Sequence, residues 1–192
     1  MIKASYSDKL LVVDILTESF DTNKSVNFVI KKDAHRIKHI RQLMEYAFEI
    51  SFLFGEVYIS EDKKGCALIL YPDKKRNNIK SILMDLKLAF QCIGIHRITT
   101  ILKREASIKK HHPKEPITYL WFIGVKPENK RKGIGTRLLT DIILVSDRMK
   151  RSIYLETSTL ANIPWYEGFG LKTFQKLEIG YTLFLIKRDY AG

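Results

Sequence analysis

The chain has 192 residues, of which 45% are hydrophobic, so it can form one domain, or one domain with an insertion, and is not broadly disordered. Its net charge of +12 predicts attraction to polyanions: nucleic acid, an acidic membrane surface or a phosphorylated cofactor. No apolar run could cross a bilayer, and the N-terminus does not resemble a signal peptide. Cys66 and Cys92 are far apart and form no CxxC pair, so we expect reduced thiols, no metal site and a cytoplasmic protein.

The first 55 residues predict two helices. Ser7 can cap a helix that runs to about Asp21, because apolar residues recur on one face of that segment. Asp33 can cap a longer helix with the same kind of apolar spacing, and Gly55 ends it.

A hairpin and two more helices are predicted next. The segments 56–60 and 66–71 have strand composition and are joined by the polar turn "EDKKG", and Pro72 stops the second strand. Residues 78–110 carry helical periodicity in two pieces, with a break near Gly94.

The rest of the chain alternates strand and helix. Residues 118–125 are almost wholly apolar, which is typical of a strand buried on both faces, and a helix follows to about Lys150. A strand at 152–158, a short helix at 162–170 closed by glycine, and a hairpin around Gly180 complete the chain. This order predicts a mixed α/β sheet with helices on its faces.

The loop "ENKRKGIGTRLL" (128–139) lies between the apolar strand and its helix. The first amides of a helix lack intrahelical partners and carry the positive end of its dipole. Gly133 and Gly135 would let an anion approach and permit positive φ, while Lys130, Arg131, Lys132 and the hydroxyl of Thr136 surround the site. The loop therefore predicts a phosphate or pyrophosphate site, with a glycine-capped helix in a lysine-rich turn as the alternative.

Two other phosphate loops are excluded by spacing. A Walker loop places its lysine after the glycines, whereas here the lysines precede them. A dinucleotide fingerprint needs a third glycine where this chain has Leu138.

The stretches "YLWFIGVKPENKRKGIGTRLL" and "YLETSTLANIPWYEGFGLKTF" resemble the GNAT superfamily of N-acetyltransferases, which transfer acetyl from acetyl-CoA to an amine. The family pattern Arg/Gln-x-x-Gly-x-Gly/Ala is matched from Lys130, which stands where the family usually has Arg or Gln. The resemblance covers about residues 117–175. The residues "LETS…N…YEGFG" within it are similar to those of the branch that contains puromycin acetyltransferase. The resemblance implies one domain over 1–192, with a mixed, mostly antiparallel sheet, helices on both faces and a CoA site at a splayed parallel strand pair.

The resemblance also implies roles for individual residues. The loop amides would grip the CoA pyrophosphate, the backbone of Ile123 and Val125 would pair with the pantetheine arm, and Tyr166 would protonate the CoA sulfur. Alternatively, Asn162 only caps a helix and Tyr166 only packs against Trp165. The implied cofactor-binding set is Ile123, Gly124, Val125, Lys130, Arg131, Lys132, Gly133, Ile134, Gly135, Thr136, Asn162 and Tyr166.

A general base is predicted on the strand 152–158. Strand alternation puts Tyr154, Glu156 and Ser158 on one face, and in the puromycin branch a glutamate in the corresponding position is a plausible base, so Glu156 is our choice. A hydrogen-bonded sheet residue is the alternative. His111 and His112 have suitable ordinary pKa values, but their charged loop predicts solvated side chains.

The sequence thus predicts an acetyl-CoA-dependent N-acetyltransferase that acts on a small-molecule amine, with no membrane partner; a homodimer stays open. A nucleic-acid-binding protein is the rival, because residues 103–114 are basic, although no helix-turn-helix, zinc-finger or RNP pattern occurs. A CoA-binding module without catalysis is a third alternative.

Overall fold

A computed structural model describes residues 1–76 and 79–190, and within these ranges seven strands form one sheet in the order β1-β2-β3-β4-β5-β7-β6. Neighbouring strands are antiparallel except β4 and β5, which are parallel. The strands are β1 Ile2–Lys3, β2 Gly55–Ile59, β3 Gly65–Leu70, β4 Ile117–Val125, β5 Ser152–Thr157, β6 Lys172–Glu178 and β7 Thr182–Arg188.

Helices cover both faces of this sheet. They are α1 Lys9–Ser19, α2 Lys24–Val29, α3 Arg36–Phe54, α4 Ile79–Leu88, α5 Ile98–Lys109, α6 Ile134–Arg148 and α7 Ile163–Glu167. The helices α1 and α3 pack on β2, β3 and β4 around buried residues such as Leu16, Phe48 and Leu68. The helices α6 and α7 pack on the opposite face around residues such as Leu139 and Leu155.

Most of the predicted elements are confirmed, with local corrections. The cap before α1 is formed by Ser5 and Asp8 rather than Ser7: the Ser5 N–H and hydroxyl both donate to the Asp8 carboxylate, at 2.8 and 2.7 Å. The helix α3 runs directly into β2 at Gly55, where a Cβ would lie 1.9 Å from the Ile69 carbonyl oxygen. Only glycine permits this close approach. Neither α2 nor β1 was predicted.

The two helices between β3 and β4 are also confirmed. A π-helical turn, Ala89–Ile93, follows α4, and Gly94 makes the predicted break with φ of 85°. The predicted start at residue 78 lies outside the described residues. Cys92 in that turn and Cys66 are both buried free thiols.

The central strand β4 is covered on both faces, as its apolar run predicts. Its register with β3 shifts between Leu68 and Ile69, so Trp121 is the extra residue of a β-bulge. Its pairing with β5 extends only from Ile117 to Tyr119, so the two parallel strands separate beyond that point. This separation creates an opening in the middle of the sheet.

Candidate functional site

Backbone groups of β4 line the opening between β4 and β5. The N–H of Lys126 donates to the Lys64 carbonyl on the β3 side, at 2.9 Å. Because backbone groups alternate along a strand, those of Ile123 and Val125 point toward the opening. The Val125 carbonyl accepts a hydrogen bond from the Ser19 hydroxyl at 2.7 Å, so its N–H is the group left for a ligand.

Gly124 serves the packing of α1. A Cβ on this residue would lie 2.9 Å from Cδ2 of Leu16 and 3.0 Å from Oγ of Ser19. The missing side chain lets α1 approach β4, and this contact brings Ser19 to the Val125 carbonyl. The structure thus gives Gly124 a packing role.

The loop after β4 has the geometry of an anion-binding turn. Arg131 and Gly133 have positive φ angles of 62° and 75°, and α6 begins at the next residue. No side chain caps this end, so in the described part of the chain the first amides of α6 are without partners. Ile134 itself is buried, and its side chain packs against β3 at Gly65.

Of the two glycines that permit positive φ, only Gly133 adopts it, because Gly135 lies inside α6. A Cβ on Gly135 would lie 3.6 Å from the Trp165 ring and 3.7 Å from Cγ2 of Val125. Gly135 therefore leaves a crevice between the start of α6, the end of β4 and α7.

The charges of the loop are available to a ligand. Lys130, Arg131 and Lys132 are exposed, and none has an ion pair within the described residues. Arg137 adds a fourth cation, with Nη1 3.5 Å from the position of a Cβ on Gly133. The loop is thus a cationic turn around unpaired amides.

The short helix α7 brings two aromatic residues to this region. Trp165 contacts the first turn of α6, where its Nε1 donates to the Thr136 hydroxyl at 3.4 Å. Tyr166 is buried beside it, with ring centroids 4.8 Å apart. Burial raises the pKa of Tyr166, and its hydroxyl has no hydrogen-bond partner within residues 1–76 and 79–190. Asn162 is exposed and its side chain does not cap α7.

Glu156 lies in a cluster that the sequence predicted only in part. Its side chain is 8% exposed, its Oε2 accepts a hydrogen bond from the Tyr119 hydroxyl at 2.5 Å, and its Oε1 lies 3.2 Å from Nε2 of His112. Burial, followed by the charge of Glu156, raises the pKa of Tyr119 well above its ordinary value. The His112 ring also contacts the ring of Tyr154, with centroids 5.9 Å apart, so Tyr154 and Glu156 share a face as predicted.

The prediction that the two histidines are solvated is wrong. His112 is enclosed by Glu156 and two tyrosine rings, and Nδ1 of His111 lies 2.8 Å from the Ser107 carbonyl oxygen. The sequence could not place His112 beside Glu156, because 44 positions separate them. Tyr119 gave a weak indication of a polar site in the sequence, because its hydroxyl is a polar group within an otherwise apolar strand.

Glu156 and Tyr166 lie on opposite faces of β5. Tyr166 packs in the core that contains Leu155, and strand alternation turns Glu156 to the other face. Glu156 is two residues beyond Tyr154, the last β5 residue paired with β4, and Tyr166 packs beside Trp165, which lines the crevice at Gly135. A reacting group in the opening would therefore have a carboxylate on one side and a phenol on the other.

Arg104, whose side chain is 11% exposed, extends the polar cluster. Arg104 of α5 donates from Nη2 to the Ser25 hydroxyl at 2.7 Å and from Nε to the Tyr181 hydroxyl at 2.9 Å. The basic stretch 103–114, which favoured nucleic acid in the sequence, thus directs Arg104 and His112 into the protein.

A groove of about 770 Å³ lies beyond this cluster, between α2, the end of β5 and the β6–β7 turn. Ser158 lines it just beyond the end of β5, and the Ser158 hydroxyl accepts from the Ser25 N–H at 3.2 Å. Other lining residues include Lys24, Phe28, Leu160, Tyr181 and Phe184.

Residues 91–171 match the model of the acetyltransferase (GNAT) family. This range contains every predicted site residue. A structure described as histone acetyltransferase HPA2 and related acetyltransferase, from Corynebacterium glutamicum, is 19% identical and covers 100% of this chain and 96% of its own, with a TM-score of 0.72. Arylalkylamine N-acetyltransferase 2 from Aedes aegypti is 15% identical, with coverages of 99% and 98% and a TM-score of 0.64.

The C-terminal condensation domain of Ebony, in complex with beta-alanyl-dopamine, is a further structural match. It is 10% identical, covers 98% of this chain and 97% of its own, and has a TM-score of 0.70. Residues 91–171 therefore resemble the GNAT acetyltransferase family, and the chain has the GNAT fold, with a mostly antiparallel sheet and one parallel strand pair.

Proposed function

We propose that the protein is an acetyl-CoA-dependent N-acetyltransferase that acts on a primary amine of a small molecule. The observation that carries the proposal is the placement of Glu156 and Tyr166 on opposite faces of β5, where β4 and β5 separate. The family match over residues 91–171 supports an acyltransferase.

The residues around the opening fit acetyl-CoA. The unpaired amides at the start of α6, the cations of residues 130–132 and the left-handed Gly133 suit a pyrophosphate. The crevice at Gly135 leads from that turn toward the backbone N–H groups of Ile123 and Val125, which can pair with an amide-containing arm as a neighbouring strand would. When bound, acetyl-CoA supplies an acetyl group on a thioester.

Glu156 and Tyr166 supply the proton transfers. Glu156 takes a proton from the attacking amine, directly or through a water molecule, as the nitrogen–carbon bond forms. The hydrogen bond from Tyr119 and the contact with His112 hold its carboxylate in place. The Tyr166 hydroxyl donates its proton to the sulfur as the carbon–sulfur bond breaks. A raised pKa keeps that hydroxyl protonated at neutral pH.

The groove beyond Ser158 is the proposed acceptor site. Its volume lies within the roughly 300–1,000 Å³ of small-molecule sites, and its wall combines aromatic rings with a few polar groups. It begins at Ser158, two residues after Glu156, so an amine bound there would approach the base from the end of β5.

The proposal is tested by thiol release. The protein is incubated with acetyl-CoA and a panel of amines, and free CoA thiol is measured over time. The panel includes aminonucleosides, because the sequence resembles the puromycin acetyltransferase branch, together with arylalkylamines and a basic peptide. We expect amine-dependent release with at least one small amine. CoA binding without release for any amine would leave a non-catalytic CoA-binding module.

Tyr166→Phe keeps the ring and removes the proton. We expect kcat to fall roughly 10²–10⁴-fold, the usual range for a general acid, with CoA affinity and thermal stability unchanged. Tyr190→Phe, which makes the same change at an exposed residue, is the comparison variant and should keep the wild-type kcat. An unchanged kcat in a folded Tyr166→Phe protein would contradict the acid role.

A further inference from the structure

An apolar stripe runs along the outer face of α4 and into the turn that follows it. Its residues recur at helical spacing and are between 49% and 79% exposed. They are Ile79, Ile82, Leu83, Leu86 and Phe90. The opposite face of α4 carries Ser81, Met84 and Leu88, which are buried or half-buried. The stripe therefore points away from the body of the protein and has no role in the site described above.

Cations flank the stripe on one side and precede it in the sequence. Lys80 and Lys87 lie along one flank, at about 80–100° from its centre when the helix is projected at 3.6 residues per turn. Lys87 forms no ion pair among the described residues, whereas Nζ of Lys80 lies 3.4 Å from Oε2 of Glu49 on α3. Lys74, Lys75 and Arg76 precede α4, and all five cations are exposed. Asp85 is the one acidic residue between 74 and 90 in the sequence, and its carboxylate accepts a hydrogen bond from the Tyr46 hydroxyl at 2.5 Å.

We propose that the stripe docks on an anionic lipid surface. A helix with large apolar residues on one side and lysines beside them lies in the plane of a membrane interface, with apolar side chains among the acyl chains and ammonium groups at the headgroups. No helix in the part of the chain that the structure describes is long and apolar enough to span a membrane, and interfacial docking requires none. This surface therefore departs from the sequence-based expectation of no membrane partner.

The charge of the chain favours lipid over a second copy. Two copies that paired through this stripe would bring Lys80 and Lys87 of both chains to one seam, and each chain carries a net charge of +12. An anionic bilayer instead offers negative charge and an apolar interior together. Each lysine near such a surface strengthens binding about fivefold, which corresponds to about 1 kcal/mol.

Vesicle sedimentation tests the proposal. The full chain is mixed with vesicles of phosphatidylcholine alone or of phosphatidylcholine with phosphatidylserine, and the bound fraction is measured at low and high salt. We expect binding to the anionic vesicles that weakens at high salt, and little binding to the neutral ones. Leu86→Glu should weaken binding more than about tenfold. Absence of binding to anionic vesicles, or equal binding to both kinds, overturns the proposal.

A matched control separates the stripe from charge in general. Leu144 of α6 is also a helical leucine that is 49% exposed, and Leu144→Glu makes the same change on the other face of the sheet, so binding should be retained. An equal loss in both variants overturns the assignment. Leu83→Trp keeps the stripe apolar, and brominated lipid should quench its added fluorescence. Sedimentation equilibrium that reveals a dimer dissociated by Leu86→Glu would assign the stripe to a second copy instead.

Discussion

The neighbours of Glu156 determine the direction and the contacts of its carboxylate. Glu156 sits on a strand, nearly buried, and both carboxylate oxygens have partners on other elements: Tyr119 on β4 and His112 in the loop after α5. These contacts fix its direction and leave each oxygen with a free lone pair. The same contacts would hold Glu156 whether it is a structural residue of the sheet or a catalytic base, so activity measurements must separate these two roles.

Glu156→Gln keeps the side-chain shape and removes its basicity. We expect kcat/KM to fall roughly 10²-fold or more near neutral pH, and the loss to shrink as pH rises because more of the amine is then already neutral. Steady-state kinetics across pH measures this. Glu61→Gln, which makes the same change at an exposed turn, should match the wild type.

The contact between His112 and Glu156 allows the opposite assignment, in which His112 is the base. If His112→Gln abolishes activity while Glu156→Gln keeps wild-type rates at every pH, the base is His112, and Glu156 only positions its ring. A folded Glu156→Gln protein is required, so thermal melting accompanies the kinetics.

At the scale of elements, local patterns predicted most helices and strands. The apolar run of β4, the glycine break between α4 and α5 and the final hairpin needed only periodicity and turn residues. The helix α2 was missed because it has six residues, although Asn23 caps it by accepting from the Val26 N–H at 3.0 Å. The two-residue β1 is too short to carry a pattern.

The site was less predictable than the fold, because it depends on contacts between distant segments. The separation of β4 and β5 follows from their register, and the enclosure of His112 follows from the path of the loop across the sheet. Neither of these features produces a periodic pattern in the sequence. The cationic turn could be predicted from the sequence because its residues are consecutive.

The start of α6 yields a prediction for cofactor binding. Gly135→Ala adds a Cβ at ordinary contact distance from Trp165 and Val125, and alanine favours a helix, so the free protein should be as stable as the wild type or slightly more so. The same methyl group narrows the crevice, and we expect CoA affinity to fall more than tenfold, about 1.4 kcal/mol, by calorimetry.

Gly168→Ala is the comparison, because this exposed glycine has φ of −60°, which alanine adopts without strain. Its CoA affinity should be unchanged. Wild-type affinity in a folded Gly135→Ala protein would remove the crevice from the cofactor path.

The whole molecule carries 33 Lys and Arg residues against 21 Asp and Glu, so its stability depends on keeping the carboxylates ionised. Burial tends to raise the pKa of Glu49, but hydrogen bonds from Lys9 and Tyr6 outweigh it and the pKa lies below its ordinary value. The bidentate Arg151 holds the pKa of Asp73 below its ordinary value. Such groups stabilise the fold above their unfolded-state pKa, and this contribution is lost as pH falls through the folded-state pKa.

Glu56 is where this dependence is easiest to measure. Burial tends to raise its pKa, but hydrogen bonds from Lys3, Tyr58 and Tyr71 lower it below its ordinary value and tie β1, β2 and the end of β3 together. Glu56→Gln should lower the free energy of unfolding by about 2 kcal/mol at pH 7. The difference from the wild type should shrink toward pH 3, because the wild-type carboxylate is then increasingly protonated. Urea unfolding at both pH values measures it, with Glu61→Gln expected within about 0.5 kcal/mol of the wild type. A difference that is equal at pH 7 and pH 3 would mean that Glu56 stabilises the sheet through its shape rather than its charge.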